Sequence, residues 1–273
     1  MKELLRSMVA DAEDPLRAGN LVTEYLQSRI LQFLQESGVF RFWIFHGGTA
    51  LRFLYDLPRY SEDLDFALRA PDPKPDFESA VSKIGKWFEA ETYHIHLKMK
   101  TAKTVKSSLI SYPGLLYELG LSPRQTELLS IKIELDVSPP SGGKVESSVV
   151  RRHVVLNLPH YDKASLLSGK LHALLARPYL KGRDLYDIFW YLSDPSWPAP
   201  NIEFLNNALT QTKWKGPLID EGNWTDVVEE KLSAIDWRRA VEDVRPFVER
   251  VYDVKMLTKE NVFKLLKDKG SSL

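Results

Sequence analysis

The chain has 273 residues, 44% hydrophobic and 27% charged, which suits one large folded domain or two ordinary ones and excludes a disordered polypeptide. Its 37 basic and 37 acidic residues cancel, so nothing marks it as a strongly basic nucleic-acid-binding chain, although a local basic groove is still allowed. There is no cysteine, which removes disulfides, thiolate chemistry and thiolate-bound zinc. The opening stretch MKELLRSMVADAEDPLR breaks each short apolar run with a charge, so it reads as neither signal peptide nor membrane span. No later segment is long and apolar enough to span, and the expected location is the cytoplasm, with no membrane partner.

Residues 3–36 have helical periodicity, with Leu21, Tyr25, Ile30, Leu31 and Leu34 on one stripe and Asp14-Pro15 as a break or capped start. Phe40 to Phe45 is a short aromatic strand leading into Gly47-Gly48, after which Thr49 is expected to cap a helix over Ala50–Tyr55. Pro58 and Arg59 read as a linker to a strand over Leu64–Leu68, and residues 70–76 as a proline-rich loop. A helix is expected over 77–90. Tyr93–Lys100 alternates, with His94, His96, Lys98 and Lys100 on one face, and Ser130–Val137 alternates with Lys132, Glu134 and Asp136 together. Pro139 to Gly143 is a turn, and Val149–Leu156 a further strand candidate. Beyond about residue 160 the periods are helical, clearest over Ala164–Leu175 and Asp184–Leu192 and again over about 224–269.

The chemistry concentrates in FHGGTALRFLYDLPRYSEDLDF, residues 45–66. On a strand, Asp63 and Asp65 project from one face while Leu64 and Phe66 enter the core. Two adjacent carboxylates repel and call for a cation, and hard oxygen ligands of this kind suit Mg²⁺ or Mn²⁺ shared with phosphates. Gly47 and Gly48 let the backbone approach a phosphate closely. A further carboxylate on a neighbouring strand, Glu134 or Asp136, would complete a two-metal site, with a lysine or arginine on the triphosphate as companion. In SGKLHALLARPYLKGRDLYDIFWYL, residues 168–192, Lys170 lies on an amphipathic helix, and Asp184 and Asp187 share a face of the next. The row His94, His96, Lys98 and Lys100, followed by Lys103 and Lys106, reads either as a solvated strand face or as a track for an RNA backbone.

The order GGTAL, SEDLDF, IKIEL and GKLHALLARPYLKGRDLYDIFWYL, spanning residues 45–192, resembles the AbiEii/MenT family of nucleotidyltransferase toxins, within the DNA-polymerase-β-like nucleotidyltransferase superfamily. The resemblance implies an α+β protein. A polymerase-β-like α/β domain with a mixed sheet is expected over 1–158, and a mainly helical domain closing the active-site cleft over 159–273. It implies that Asp63 and Asp65 bind metal, that Glu134 (or Asp136) is the third acidic position, and that Gly47, Gly48 and Thr49 cradle the triphosphate. Ser61 would lie beside metal and phosphates, Lys170 would contact the triphosphate, and Asp184 would be the family's essential aspartate. The implied activity is transfer of NMP from an NTP to an acceptor hydroxyl at the tRNA 3′ end, blocking translation. The implied role is the toxin of a bacterial toxin–antitoxin or phage-defence pair, neutralised by a cognate antitoxin protein. The alternatives are a nucleotidyltransferase with a small-molecule or protein acceptor, which the zero net charge leaves open, and a catalytically silent nucleotide-binding protein.

Overall fold

A computed structural model describes residues 2–12, 14–69 and 76–271. The proline-rich segment expected over 70–76 therefore lies outside the described residues, apart from Asp76. The chain divides into two compact units, one of Met1–Leu54, Tyr60–Ser138 and Ser147–His160, the other of Tyr55–Arg59, Pro139–Glu146 and Tyr161–Leu273.

The first unit begins with helices α1 (Lys2–Ala10) and α2 (Pro15–Glu36). Asp14 caps α2, its carboxylate accepting the Arg17 N–H at 2.8 Å, with Pro15 at the first helical position where its missing N–H costs nothing. Strand β1 (Trp43–His46) runs into α3 (Gly47–Tyr55), followed by β2 (Asp63–Leu68) and α4 (Phe77–Ala90), which Asp76 caps. Next come β3 (His96–Lys100), β4 (Val105–Pro113), the short α5 (Leu115–Glu118), β5 (Leu128–Asp136), β6 (Val145–Arg151) and β7 (Val155–Tyr161). The strands form one seven-stranded mixed sheet in the order β3-β4-β5-β2-β1-β7-β6, with β2–β5 and β1–β7 parallel and β1–β2, β3–β4 and β4–β5 antiparallel. Helix α2 packs on β5 and α4 on β3 and β4. The face beneath them is closed by Leu64, Phe66, Ile131, Ile133 and Leu135. Around Phe66 the rings of Trp43 and Phe45 lie 5.3 and 5.4 Å away, so the aromatic strand and the Asp-x-Asp strand share one core.

Two strand expectations shift, and one strand was not foreseen. The strand expected from Phe40 begins at Trp43, because Gly38 takes a φ of +74° and opens a 3₁₀ turn over Val39–Arg41. The candidate over Val149–Leu156 straddles a turn and belongs to two strands, β6 and β7. Strand β4 had no sequence signal, since Ser108 and Ser111 stand at buried positions and blur the apolar alternation.

The second unit is helical after β7: α6 (Lys163–Ala176), α7 (Gly182–Leu192), α8 (Ile202–Gln211), α9 (Trp224–Ser233), α10 (Trp237–Val244), α11 (Val251–Met256) and α12 (Lys259–Gly270). Helix α6 packs on α7, α8 and α9, while α7 also meets α10 and α12. A Cβ at Gly182 would collide with the Ala240 carbonyl oxygen, so only glycine allows α7 and α10 this close. Leu171, Leu185, Ile188, Trp224 and Leu232 are buried in its core. Among the described residues no helix is long and apolar enough to cross a membrane.

Candidate active site

The carboxylate pair stands where the strand period places it. Asp63 and Asp65 are half-buried on β2 and alternate with buried Leu64 and Phe66. In the antiparallel register Asp65 lies opposite His46 of β1, and in the parallel register Asp63 and Asp65 lie beside Lys132 and Glu134 of β5. Gly47, between β1 and α3, has a φ of +81°, and a Cβ there would overlap the Asp65 Oδ2 and reach 3.0 Å from its Cγ. The Asp65 carboxylate thus packs against bare backbone at the start of a helix, where N–H groups and the helix dipole favour anions. Thr49, expected as a cap, is instead inside α3, because the helix starts at Gly47, three residues before the expected Ala50; its hydroxyl donates to the Asp63 carbonyl and ties α3 to β2. Gly48 is buried in the same first turn. Ser61 is half-buried just before β2, its carbonyl accepting from Gln27 Nε2 of α2 at 2.8 Å.

The two further carboxylates differ in position. Glu134 is the register mate of Asp65, whereas Asp136 stands beside Ala67 and accepts the Ser138 N–H at 2.9 Å. Lys132 Nζ is 2.6 Å from Glu134 Oε1, with both side chains partly exposed. Burial opposes the Lys132 charge, but Glu134, then Asp63 and Asp65, outweigh it and raise its pKa. Among the described residues no three His, Asp or Glu side chains converge closely enough to hold a metal ion by themselves. Two carboxylates still fit Mg²⁺, which keeps several water or phosphate ligands and needs only one or two from protein.

In the second unit Lys170 of α6 meets Asp187 Oδ2 at 2.7 Å and Asp184 Oδ1 at 3.0 Å, both on α7. Asp184 also pairs with Arg177, and Asp187 accepts from Arg59 Nε at 2.6 Å and Nη2 at 2.5 Å. Three cations and two carboxylates thus form one network, with Asp187 fully buried and Arg59 2% exposed. Burial disfavours the charge on Asp184, yet Lys170 and Arg177 overcome it and hold its carboxyl at about 2. Burial likewise opposes the Lys170 charge, and Asp187 and Asp184 overcome it and raise its pKa. Sequence reasoning missed Arg59. A lone arginine after Pro58 has no periodic context, and its partner lies 128 positions away.

A strand, a glycine turn, a helix and an Asp-x-Asp strand follow one another in a mixed sheet, the order expected of a nucleotidyltransferase domain. The family described as nucleotidyl transferase AbiEii toxin, type IV toxin–antitoxin system, matches residues 29–260, and the chain belongs to that family. Solved structures with a similar fold include two from Helicobacter pylori, a putative nucleotidyltransferase and JHP933. Each is 17% identical at a TM-score of 0.55, covering 93% of this chain and 95% and 93% of theirs. Another is MenT4, a nucleotidyltransferase toxin from Mycobacterium tuberculosis H37Rv, 13% identical at a TM-score of 0.53, covering 98% of this chain and 90% of that one. No curated protein sequence matches the chain.

Proposed function

We propose that the chain is a metal-dependent toxin that moves NMP from an NTP to the 3′ hydroxyl of tRNA, blocking translation in the cytoplasm until a cognate antitoxin binds it. The observation that carries the site is the Asp63–Asp65 pair, with the Asp65 carboxylate packed against Gly47 at the start of α3. Mg²⁺ or Mn²⁺ held by Asp63 and Asp65 would neutralise charge on the phosphoryl oxygens and acidify the acceptor hydroxyl. The chain's own part is positioning and electrostatics. Gly47 and Gly48 admit the triphosphate to the backbone, and the first N–H groups of α3 face its oxygens. Thr49 fixes α3 against the aspartate strand. Glu134, beside Asp65 in the register, is the acidic neighbour placed to receive the hydroxyl proton once it parts from Lys132. Lys170 is proposed as a phosphate-binding lysine whose ammonium Asp184 and Asp187 orient.

The test is incubation of purified protein with total tRNA, Mg²⁺ and each α-³²P-labelled NTP in turn, beside an Asp63→Ala/Asp65→Ala variant. Label on tRNA with the wild type and none with the variant or with EDTA is the expected result. Pyrophosphate released without label on RNA would replace tRNA by a small-molecule or protein acceptor, and NTP binding without turnover would leave a silent nucleotide-binding protein.

A further inference from the structure

The sheet face that carries the carboxylates continues past them to the β3 edge. Three cross-strand rows follow from the register. Asp65, Glu134, Ser107 and Lys100 form one, and Asp63, Lys132, Leu109 and Lys98 the next. Ser130, Ser111 and His96 form the third, tied by a 2.8 Å contact between the two serine hydroxyls. Residues in one row share a face, so the basic side chains of β3 and the carboxylates of β2 lie on the same side. The opposite side of β3, carrying Leu97 and Met99, is half-buried, and Leu97 comes within van der Waals reach of Gly85 in α4. His96, Lys98 and Lys100 are exposed, and Leu109 between the basic edge and Lys132 is 38% exposed.

Charge is unevenly distributed here. Residues 94–106 contain four lysines and two histidines and no acidic residue, in a chain whose net charge is zero. Three inter-strand steps separate β3 from β2, about 14 Å at ordinary sheet spacing.

We propose that this open face is the track for a single-stranded RNA end, its phosphates on His96, Lys98 and Lys100 and its terminal ribose passing over Leu109 toward Asp63 and Asp65. This rests on the nucleotidyl-transfer reading and names the surface that delivers the acceptor. The polarity follows from charge: phosphates avoid the carboxylate rows and settle on the lysine edge, leaving the uncharged 3′ hydroxyl as the end that approaches the aspartates. A sheet face with an exposed apolar residue between cations suits splayed single strands, whose bases and riboses can lie on it, better than an A-form duplex, which is held mainly through its backbone.

The experiment measures binding of a short single-stranded RNA with a free 3′ hydroxyl, without NTP, across a salt series. It compares wild type, Lys98→Ala/Lys100→Ala and the charge-keeping Lys98→Arg/Lys100→Arg. These positions are exposed, so the fold is retained, and unchanged Mg²⁺-dependent binding of a fluorescent NTP checks it. The alanine pair should weaken RNA binding several-fold and flatten the slope of log K against log salt by about 1.4, since each lost contact removes ~0.7 on single strands. The arginine pair should restore both. An unchanged slope in the alanine pair, or preference for duplex over single strand, overturns the track. Because the readout is binding, the two readings fail separately. Intact lysine-dependent binding with no transfer to RNA removes the transfer reading alone, and transfer with lysine-independent binding removes the track alone.

Discussion

Replacing Asp187 by asparagine isolates the buried network of the second unit. The native carboxylate is fully buried, accepts two hydrogen bonds from Arg59 and meets Lys170 at 2.7 Å. Asparagine keeps the volume but removes the charge, and its amide turns a donor toward one of the cations. Arg59, 2% exposed, then loses the charge at two of its contacts, and Lys170 loses one of its two carboxylates. Breaking a buried pair from one side costs about 3–5 kcal/mol, much of it the penalty of the cation left behind. A domain is stable by only about 5–15 kcal/mol, so the loss is a large fraction of the whole.

Urea titration followed by tryptophan fluorescence reads the change, because five of the seven tryptophans (Trp190, Trp197, Trp214, Trp224 and Trp237) lie in this unit. With a urea dependence of about 2 kcal/mol per M, the midpoint should fall by about 1.5–2.5 M. An Arg59→Met/Asp187→Leu double variant should recover part of that loss, since replacing a buried pair with apolar groups is often near neutral. A midpoint within about 0.3 M of wild type in Asp187→Asn would refute the argument, and would mean that solvent reaches the network and screens it.

Two other outcomes follow from the same physics. Gly47→Ala forces a side chain into positive φ, at about 1–3 kcal/mol, and pushes the Asp65 carboxylate off its seat; transfer activity should fall about 100-fold while Mg²⁺-free thermal unfolding shifts only modestly. Equal activity in Gly47→Ala and wild type would show that the Asp65 position is not set by that contact. Acid stability should depend on two buried carboxyls. Burial works against the charge of Glu24, but the His153 hydrogen bond, Arg52 and Arg152 hold its carboxyl down to about 2, from 4.5, and Asp184 lies at about 2, from 3.8. Both pKa values are lower in the folded chain, so the unfolded chain takes up protons first. The stabilisation is complete above about pH 5 and is lost as pH falls toward 2, together on the order of 5 kcal/mol. Urea midpoints measured from pH 6 to pH 3 should decline steeply for wild type and less steeply for Glu24→Gln; a flat wild-type profile would contradict the assignment.

What could be read from the chain divides along a physical line. Asp63 and Asp65 were legible because a strand has a period of two, so their side-by-side placement needs no tertiary information. The α2 cap at Asp14 was legible for the same reason, its signal being confined to four residues. Strand β4 was not, because its core-facing row includes Ser108 while the opposite row includes the exposed Leu109, which inverts the hydrophobic pattern. Glu134 and Asp136 share a face of β5, and only the pairing register, a long-range property, sets Glu134 beside Asp65 and Asp136 beside Ala67.

Thr49 shows how a local rule yields to its neighbourhood. As a threonine after two glycines it has the composition of a cap. Gly47 tolerates a φ of +81° that lets α3 begin earlier, and the hydroxyl, no longer needed at the helix end, bonds the Asp63 carbonyl. The change strengthens the functional reading, since one turn now holds both the glycine against which Asp65 packs and the hydroxyl bound to Asp63. Arg59 and Asp187 lie at the other extreme. Their pairing spans 128 positions: Asp187 can be set on a helix face with Asp184, but Arg59 has no periodic context and nothing local marks it as the partner. Charged residues are exposed by default, so sequence reasoning assigns them to solvent unless a partner is visible, and here the partner becomes visible only when α7 folds against the segment that follows α3.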